Sequence, residues 1–291
     1  MESKTEKIEE FKQLLQFSII IIDKPAGPTS FDVSDSVRRE LHDFGITKTS
    51  HFGTLDPMVT GVLPIAIGRG CKLTGMFLGH DKVYIGKMHV HKEISLEELQ
   101  KVIDKEFTGM ITQMPPKKSA VKRQLREREI KLFKLLEKTG KDGKDFSFET
   151  CVQGGTYIRK LVHDLGEKTE LGAHMTELRR VRAGIFDDKK LYNLFQLKEA
   201  AKEAKEGKIE SLKSMLISAE DAIKQVFPVY EMKDDKVLLK KLLTGKPLFK
   251  GDLKKDPKEE RFAVFHKSRF VEIAKKTGEE GILARPEFVY T

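Results

Sequence analysis

The sequence predicts an α+β protein with one large and one small domain, and three observations carry that reading. Short β-branched or alternating runs, which read as strands, are interleaved with stretches whose apolar residues recur at helical spacing behind capping residues. Glycine-containing turns between neighbouring strand candidates imply hairpins, and so antiparallel pairing. With 291 residues, 39% hydrophobic and 34% charged, the chain can bury a sizeable core and still divide in two.

The first sixteen residues (MESKTEKIEEFKQLLQ) mix acids and bases and read as a short helical arm. They lack the apolar run of a secretory signal, which predicts an intracellular, cytoplasmic protein. Residues 17–22 (FSIIII) are β-branched and end at the breaker series DKPAGPTS, so they read as a strand. This run is too short to cross a bilayer, and no membrane partner is expected. Thr29 with Asp32 forms a capping box, behind which Val33, Val37 and Leu41 mark one helix face.

Residues 62–67 (VLPIAI) read as a strand, 71–78 as a short helix, and 84–90 alternate as a second strand. Ser95 and Glu98 form another capping box. It opens a helix with Leu96, Leu99, Ile103 and Phe107 on one face, stopped by Gly109. Residues 113–128 read as a basic loop. Strands over 129–136 and 145–153 follow, joined by a turn at 140–143 (GKDG). Thr156 is placed to cap a helix whose stripe is Ile158, Leu161, Val162 and Leu165. Residues 175–186 read as strand, with helices over 196–206 and 209–226. The pair Phe227-Pro228 marks a boundary, giving a large domain over 17–227 and a small β-rich module over 228–291.

Net charge is +9, with a pI near 9.2, which points to a polyanionic partner. Six of the Lys and Arg residues fall in residues 117–128 (Lys117, Lys118, Lys122, Arg123, Arg126, Arg128) against one acid, Glu127. A charged loop is ordinarily only a solvated surface. A single-sign cluster this dense, beginning at Pro115-Pro116, is also what tracking of phosphates requires. Cys71 and Cys151 are far apart and form no CxxC, so free thiols are expected rather than a disulfide or zinc site. His89 and His91 point to one face of their strand with no third ligand nearby in sequence, and no metal is expected there.

One stretch organises the rest: residues 50–68, SHFGTLDPMVTGVLPIAIG. A lone carboxylate, Asp56, sits among the turn formers Gly53, Pro57 and Gly61, just ahead of a strand. Pro57 restricts the backbone of Asp56, and the two glycines permit shapes or close approaches that a Cβ would block. On its own, such a turn serves equally as a cap.

The string GTLDPMVTGVLP resembles the catalytic-aspartate motif of the TruB-type pseudouridine synthases. Together with DKPAGPTS, HDKVYIG, GGTYIRKL and PPKKSAVKRQLRER in the family's order, the likeness runs over residues 17 to 187 and is nearest to the dyskerin-like, RNA-guided branch. That resemblance implies a pseudouridine synthase fold, with a mainly antiparallel central sheet and flanking helices, followed by a short, divergent PUA-like RNA-binding module. It implies isomerisation of uridine to pseudouridine without metal or cofactor. Asp56 would be the essential carboxylate, Arg159 its guanidinium partner and Tyr84 the active-site aromatic. Tyr157 and Leu178 would pack around the uracil. His51 would lie near the flipped nucleotide, followed here by Phe52 where the family has a small residue. Lys24, with Pro25, would support the loop and substrate.

The function so implied is that of the catalytic subunit of an H/ACA guide-RNA particle acting on rRNA, with guide RNA and small accessory proteins as partners. The alternatives are a stand-alone synthase acting on the tRNA T-loop and a non-catalytic RNA-binding scaffold.

Overall fold

The computed structural model describes residues 4–116, 122–140 and 142–290. Ten strands form the larger sheet: β1 (Phe17–Lys24), β2 (Thr49–His51), β3 (Thr60–Gly68), β4 (Lys82–Val90), β5 (Gly109–Gln113), β6 (Arg126–Thr139), β7 (Asp145–Val152), β8 (Ala173–Ala183), β9 (Phe186–Asp187) and β10 (Leu216–Ser218). Their order is β10-β1-β3-β8-β4-β7-β6-β5, with β2 added on β3 and β9 on β8. Among these strand pairs only β3 with β8 is parallel, so the sheet is mainly antiparallel as expected.

The helices are α1 (Lys4–Gln16), α2 (Ser30–Glu40), α3 (Thr74–Phe77), α4 (Leu96–Glu106), α5 (Ile158–Lys168), α6 (Leu194–Lys205), α7 (Glu210–Met215), α8 (Ala219–Val226) and α9 (Lys236–Leu243). Both expected capping boxes are present, Thr29 with Asp32 at α2 and Ser95 with Glu98 at α4. Strand β1 is buried on both faces, which is why its run is apolar without alternation. Ile20 and Ile22 pack with the helices α1, α2, α6 and α7, while Phe17, Ile19 and Ile21 face the opposite cluster.

That opposite cluster is shared with a second sheet, ordered β11 (Val229–Glu231), β13 (Arg261–His266), β14 (Arg269–Lys276), β15 (Ile282–Val289) and β12 (Leu248–Phe249). Phe17 stacks on Phe270 with ring centroids 5.7 Å apart, so an apolar core joins the two sheets.

Three local expectations are corrected. The helix expected over 209–226 is broken, because Leu216–Ser218 leaves it to pair with β1 and satisfy that strand's outer edge. Thr156 does not cap α5; its hydroxyl donates back to the Gln153 carbonyl at 2.7 Å, and α5 starts behind Tyr157 with no side-chain cap. The basic loop is shorter than 113–128. Gln113 ends β5 and β6 already begins at Arg126, so Arg126 and Arg128 stand on a strand paired with β5. Lys117 and Lys118 lie outside the described residues. Both cysteines are free and half-buried, and burial pushes the Cys71 thiol up to about 11.

Candidate active site

The Asp56 loop is held from below by the DKPAGPTS segment. The Ser30 hydroxyl, buried at the start of α2, accepts from the Leu55 N–H at 2.8 Å and donates to the Leu55 carbonyl at 3.0 Å. Lys24 Nζ donates to the carbonyls of Pro57 at 3.0 Å and Val59 at 2.9 Å, and to that of Pro25 at 2.8 Å. The Gly27 N–H donates to the same Pro57 carbonyl. The backbone is therefore pinned at 55, 57 and 59, and residue 56 between them is presented outward. A turn bond from the Val59 N–H to the Asp56 carbonyl closes the loop.

The glycines behave as their positions require. Gly53 and Gly61 adopt φ of +106° and +102°. A Cβ on Gly61 would sit 2.2 Å from the Arg180 carbonyl, so only glycine lets β3 run against β8 here.

Arg159, on the first turn of α5, forms an ion pair with Asp56 through Nη2 and Oδ2. Both side chains remain partly open to solvent, at 58% and 45% exposure, as a pair that must meet a large substrate would be. The helix that carries Arg159 is anchored by a residue the sequence motifs do not announce. Gln113, 2% exposed, donates from Nε2 to the Tyr157 carbonyl and accepts at Oε1 from the Tyr157 N–H. A single side chain thus ties the last residue of β5, from which the basic segment departs, to the start of α5.

Beneath the ion pair lies an apolar floor. Leu55 and Val59 of the loop, Tyr84 of β4, Ile158 and Leu161 of α5, and Leu178 of β8 belong to one buried cluster. Gly86 makes room for it, since a Cβ there would collide with Phe148 and Leu178. Tyr157, two residues before Arg159, is half-buried. The structure thus brings Asp56 and Arg159 into contact above the cluster that contains Tyr84 and Leu178.

The surrounding field is positive. Arg180, 1% exposed, donates to the carbonyls of Val62 at 2.8 Å and Gly53 at 3.0 Å. Lys82, 5% exposed, donates to the carbonyls of Leu78 and His80, and burial followed by the Arg180 charge lowers it to about 8. Burial also lowers Lys24, against the pull of the Asp56 carboxylate. These buried cations, satisfied by carbonyls, favour an anionic ligand.

One expected substrate contact sits differently. Lys24 is fully buried and its ammonium is taken up by three carbonyls, so its place is under the loop rather than against a ligand. Half-buried His51 shares a 3.1 Å hydrogen bond with Thr54, and burial, then the Arg180 charge, lower its pKa. Phe52 turns away from it into the core and stacks on Phe77 at 5.0 Å, leaving the site free of its bulk. Of the described basic residues, Lys122 and Arg123 are exposed, while Arg126 and Arg128 are half-buried. Ser30, Gln113, Lys82 and Arg180 were not singled out in the sequence; their roles appear only once strands pair.

Residues 41–158 match the model of the TruB family pseudouridylate synthase N-terminal domain, and residues 159–224 that of the tRNA pseudouridylate synthase B C-terminal domain. The chain is 43% identical over 220 residues to "Probable tRNA pseudouridine synthase B" of Nanoarchaeum equitans, an alignment covering 75% of this chain and 61% of the relative. It is 42% identical over 224 residues to the protein of the same name from Korarchaeum cryptofilum, covering 77% and 67%. The chain therefore spans about three fifths to two thirds of the length of these curated relatives. Among solved structures, the fold is similar to a chain in the crystal structure of a Cbf5-Nop10-Gar1 complex. The TM-score there is 0.85 at 31% identity, covering 97% of this chain and 87% of that one.

Proposed function

The chain belongs to the TruB family of pseudouridine synthases, and we propose that it isomerises uridine to pseudouridine in RNA. The observation that carries this reading is the Asp56–Arg159 ion pair, set above the apolar floor that holds Tyr84 and Leu178.

The chemistry asks for what that arrangement offers. The bond between the ribose anomeric carbon and N1 of uracil breaks, the base turns, and a bond from the same carbon to C5 forms. C5 loses its hydrogen and N1 gains one, so the product is an isomer. A carboxylate oriented by a guanidinium can attack the anomeric carbon or stabilise the charge that develops there. The base must leave its stack to reach the carboxylate, and an aromatic and aliphatic floor receives its faces. Lys122 and Arg123 supply exposed charge for the phosphates.

We assign the finer role as follows. The protein acts as the catalytic subunit of a guide-RNA particle on rRNA, with small accessory proteins, on the strength of its 31% identity and shared fold with the Cbf5 of a Cbf5-Nop10-Gar1 complex. The names of its curated relatives favour a second reading, direct action on tRNA without a guide. The second sheet is read as a PUA-like RNA-binding module beyond a catalytic domain over 17–227.

The test is release of tritium from C5-labelled uridine in a tRNA transcript, comparing wild type with Asp56→Ala. Turnover by wild type alone, without guide, supports the enzyme and the tRNA reading together. Turnover only after guide RNA and accessory proteins are added supports the guided reading. No turnover in either setting overturns the proposal in favour of an RNA-binding scaffold.

A further inference from the structure

We propose a tri-histidine site for a zinc-class divalent cation on the outer face of the large sheet, formed by His89, His91 and His174 with Asp145 behind it. His89, on β4, and His91, the first residue past its end, stand two apart with their rings side by side. The third ligand, out of reach in the sequence, comes from the neighbouring strand: β8 pairs antiparallel with β4 and sets His174 directly opposite His89. The three rings form a triangle, with centroids 5.9 Å apart for His89 and His91, and 5.4 Å for each of the other two pairs.

Two features show that these rings are placed rather than merely near. His89 Nδ1 is bonded to the Asp145 carboxylate at 2.8 Å, and Asp145 faces His89 across the β4–β7 pairing. A carboxylate there accepts the Nδ1–H hydrogen bond and leaves Nε2 with a bare lone pair, the outer-shell arrangement that orients metal-binding histidines. His91 is fixed from beneath. Its backbone N–H donates to the Gly172 carbonyl at 3.0 Å, and its ring packs on Gly172, where a Cβ, at φ +66°, would sit 2.5 Å from His91 Nδ1.

The ligand spacing fits. His91 Nε2 and His174 Nδ1 lie 3.2 Å apart, sharing one hydrogen bond. Two nitrogens bound at about 2.0–2.1 Å to a tetrahedral zinc stand roughly 3.3 Å apart, nearly the same edge. Among the described residues no group of three or more is set to hold an ion as it stands, so binding shifts the shared proton, by exchange with solvent, to the far nitrogen of its own ring, each imidazole keeping one N–H, and draws His89 Nε2 in by side-chain rotation. Three imidazoles and a fourth position taken by water suit zinc, cobalt or nickel rather than calcium or magnesium. The site lies at the far end of β4 from Tyr84, about 17 Å away at the usual strand rise. It pins β4 to β8 while Asp145 of β7 backs it.

The test uses the full chain, stripped with a chelator and titrated with Zn²⁺ against a chromogenic competitor, and in parallel with Co²⁺. One ion per chain is expected. The cobalt form should show the visible bands of a tetrahedral nitrogen site and no thiolate charge-transfer band, which sets it apart from capture by Cys71 or Cys151. His174→Ala and His91→Ala should each abolish that spectrum, and Asp145→Asn should weaken affinity about 10- to 100-fold. Absence of competition with the chelator overturns the proposal. So does binding that survives His91→Ala with His174→Ala in a chain whose circular dichroism is unchanged.

Discussion

Gln113 grips Tyr157 by both backbone groups, accepting from its N–H at 3.1 Å and donating to its carbonyl at 3.3 Å, across 44 residues of sequence. The grip matters because Tyr157 is the residue just ahead of α5 and Arg159 follows two residues later, while the basic segment leaves from Gln113 itself. Loss of the side chain takes the Gln113 acceptor from the Tyr157 N–H, leaves the Tyr157 carbonyl to the Leu161 N–H, and frees the start of α5. In Gln113→Ala, we expect kcat to fall by about 10²-fold with RNA affinity nearly unchanged, since a displacement of about 1 Å has that cost. Gln113→Glu keeps the acceptor and loses the donor, and should fall between. Single-turnover rates set beside filter-binding affinities separate positioning from binding; equal losses in both would refute the assignment.

Arg159→Lys keeps a positive charge near Asp56 and removes the planar fork that orients a carboxylate. Turnover should fall on the order of 10²- to 10³-fold, as when one positioned donor is removed from a reacting centre. Folding should be little affected, because both partners are about half exposed and surface pairs contribute about 1 kcal/mol or less. Tritium release with a matched urea denaturation curve checks both.

Lys24→Met retains much of the buried volume and removes the Lys24 donor from three carbonyls, of which that of Pro57 keeps the Gly27 N–H. Each lost partner at a buried group costs on the order of 1–3 kcal/mol. We expect a clear drop in the urea midpoint, together with loss of turnover because the pinned carbonyls flank Asp56. A variant that keeps its midpoint but loses RNA binding would return Lys24 to the substrate.

Lys122→Ala with Arg123→Ala removes two exposed charges from the basic segment. Affinity should weaken similarly for unrelated RNA sequences, and the slope of log affinity against log salt should shrink by about 1 to 2. An unchanged slope would mean that these charges meet no phosphate.

How much of this was legible in the sequence depends on the range over which each residue acts. The capping boxes at Thr29 and Ser95 and the glycines flanking Asp56 act within a few residues, and they are present as read. Ser30, Gln113 and Arg180 act on partners 25, 44 and 118 residues away, so nothing local marks them. The break in the helix expected over 209–226 has the same origin, since the pull on Leu216–Ser218 comes from the edge of β1. Asp56 and Arg159 are equally remote from one another, and only their motif resemblance paired them in advance.

Glu272, in the second sheet, is wholly buried with both carboxylate oxygens unpartnered. Desolvation of the charged form raises it from 4.5 to about 8. Between those values the folded chain holds a proton that the unfolded chain releases. Its contribution is therefore fully present below pH 4.5 and is lost as pH rises through about 8. From pH 5 to pH 8 this group alone should remove about 3 kcal/mol of stability, at roughly 1.4 kcal/mol per pH unit, with no further loss well above pH 8. Glu272→Gln cannot titrate, so its urea midpoint should be flatter over the same window and should exceed that of wild type most clearly at pH 8. Parallel pH profiles for the two proteins would show instead that the carboxylate finds a partner or solvent when ionised.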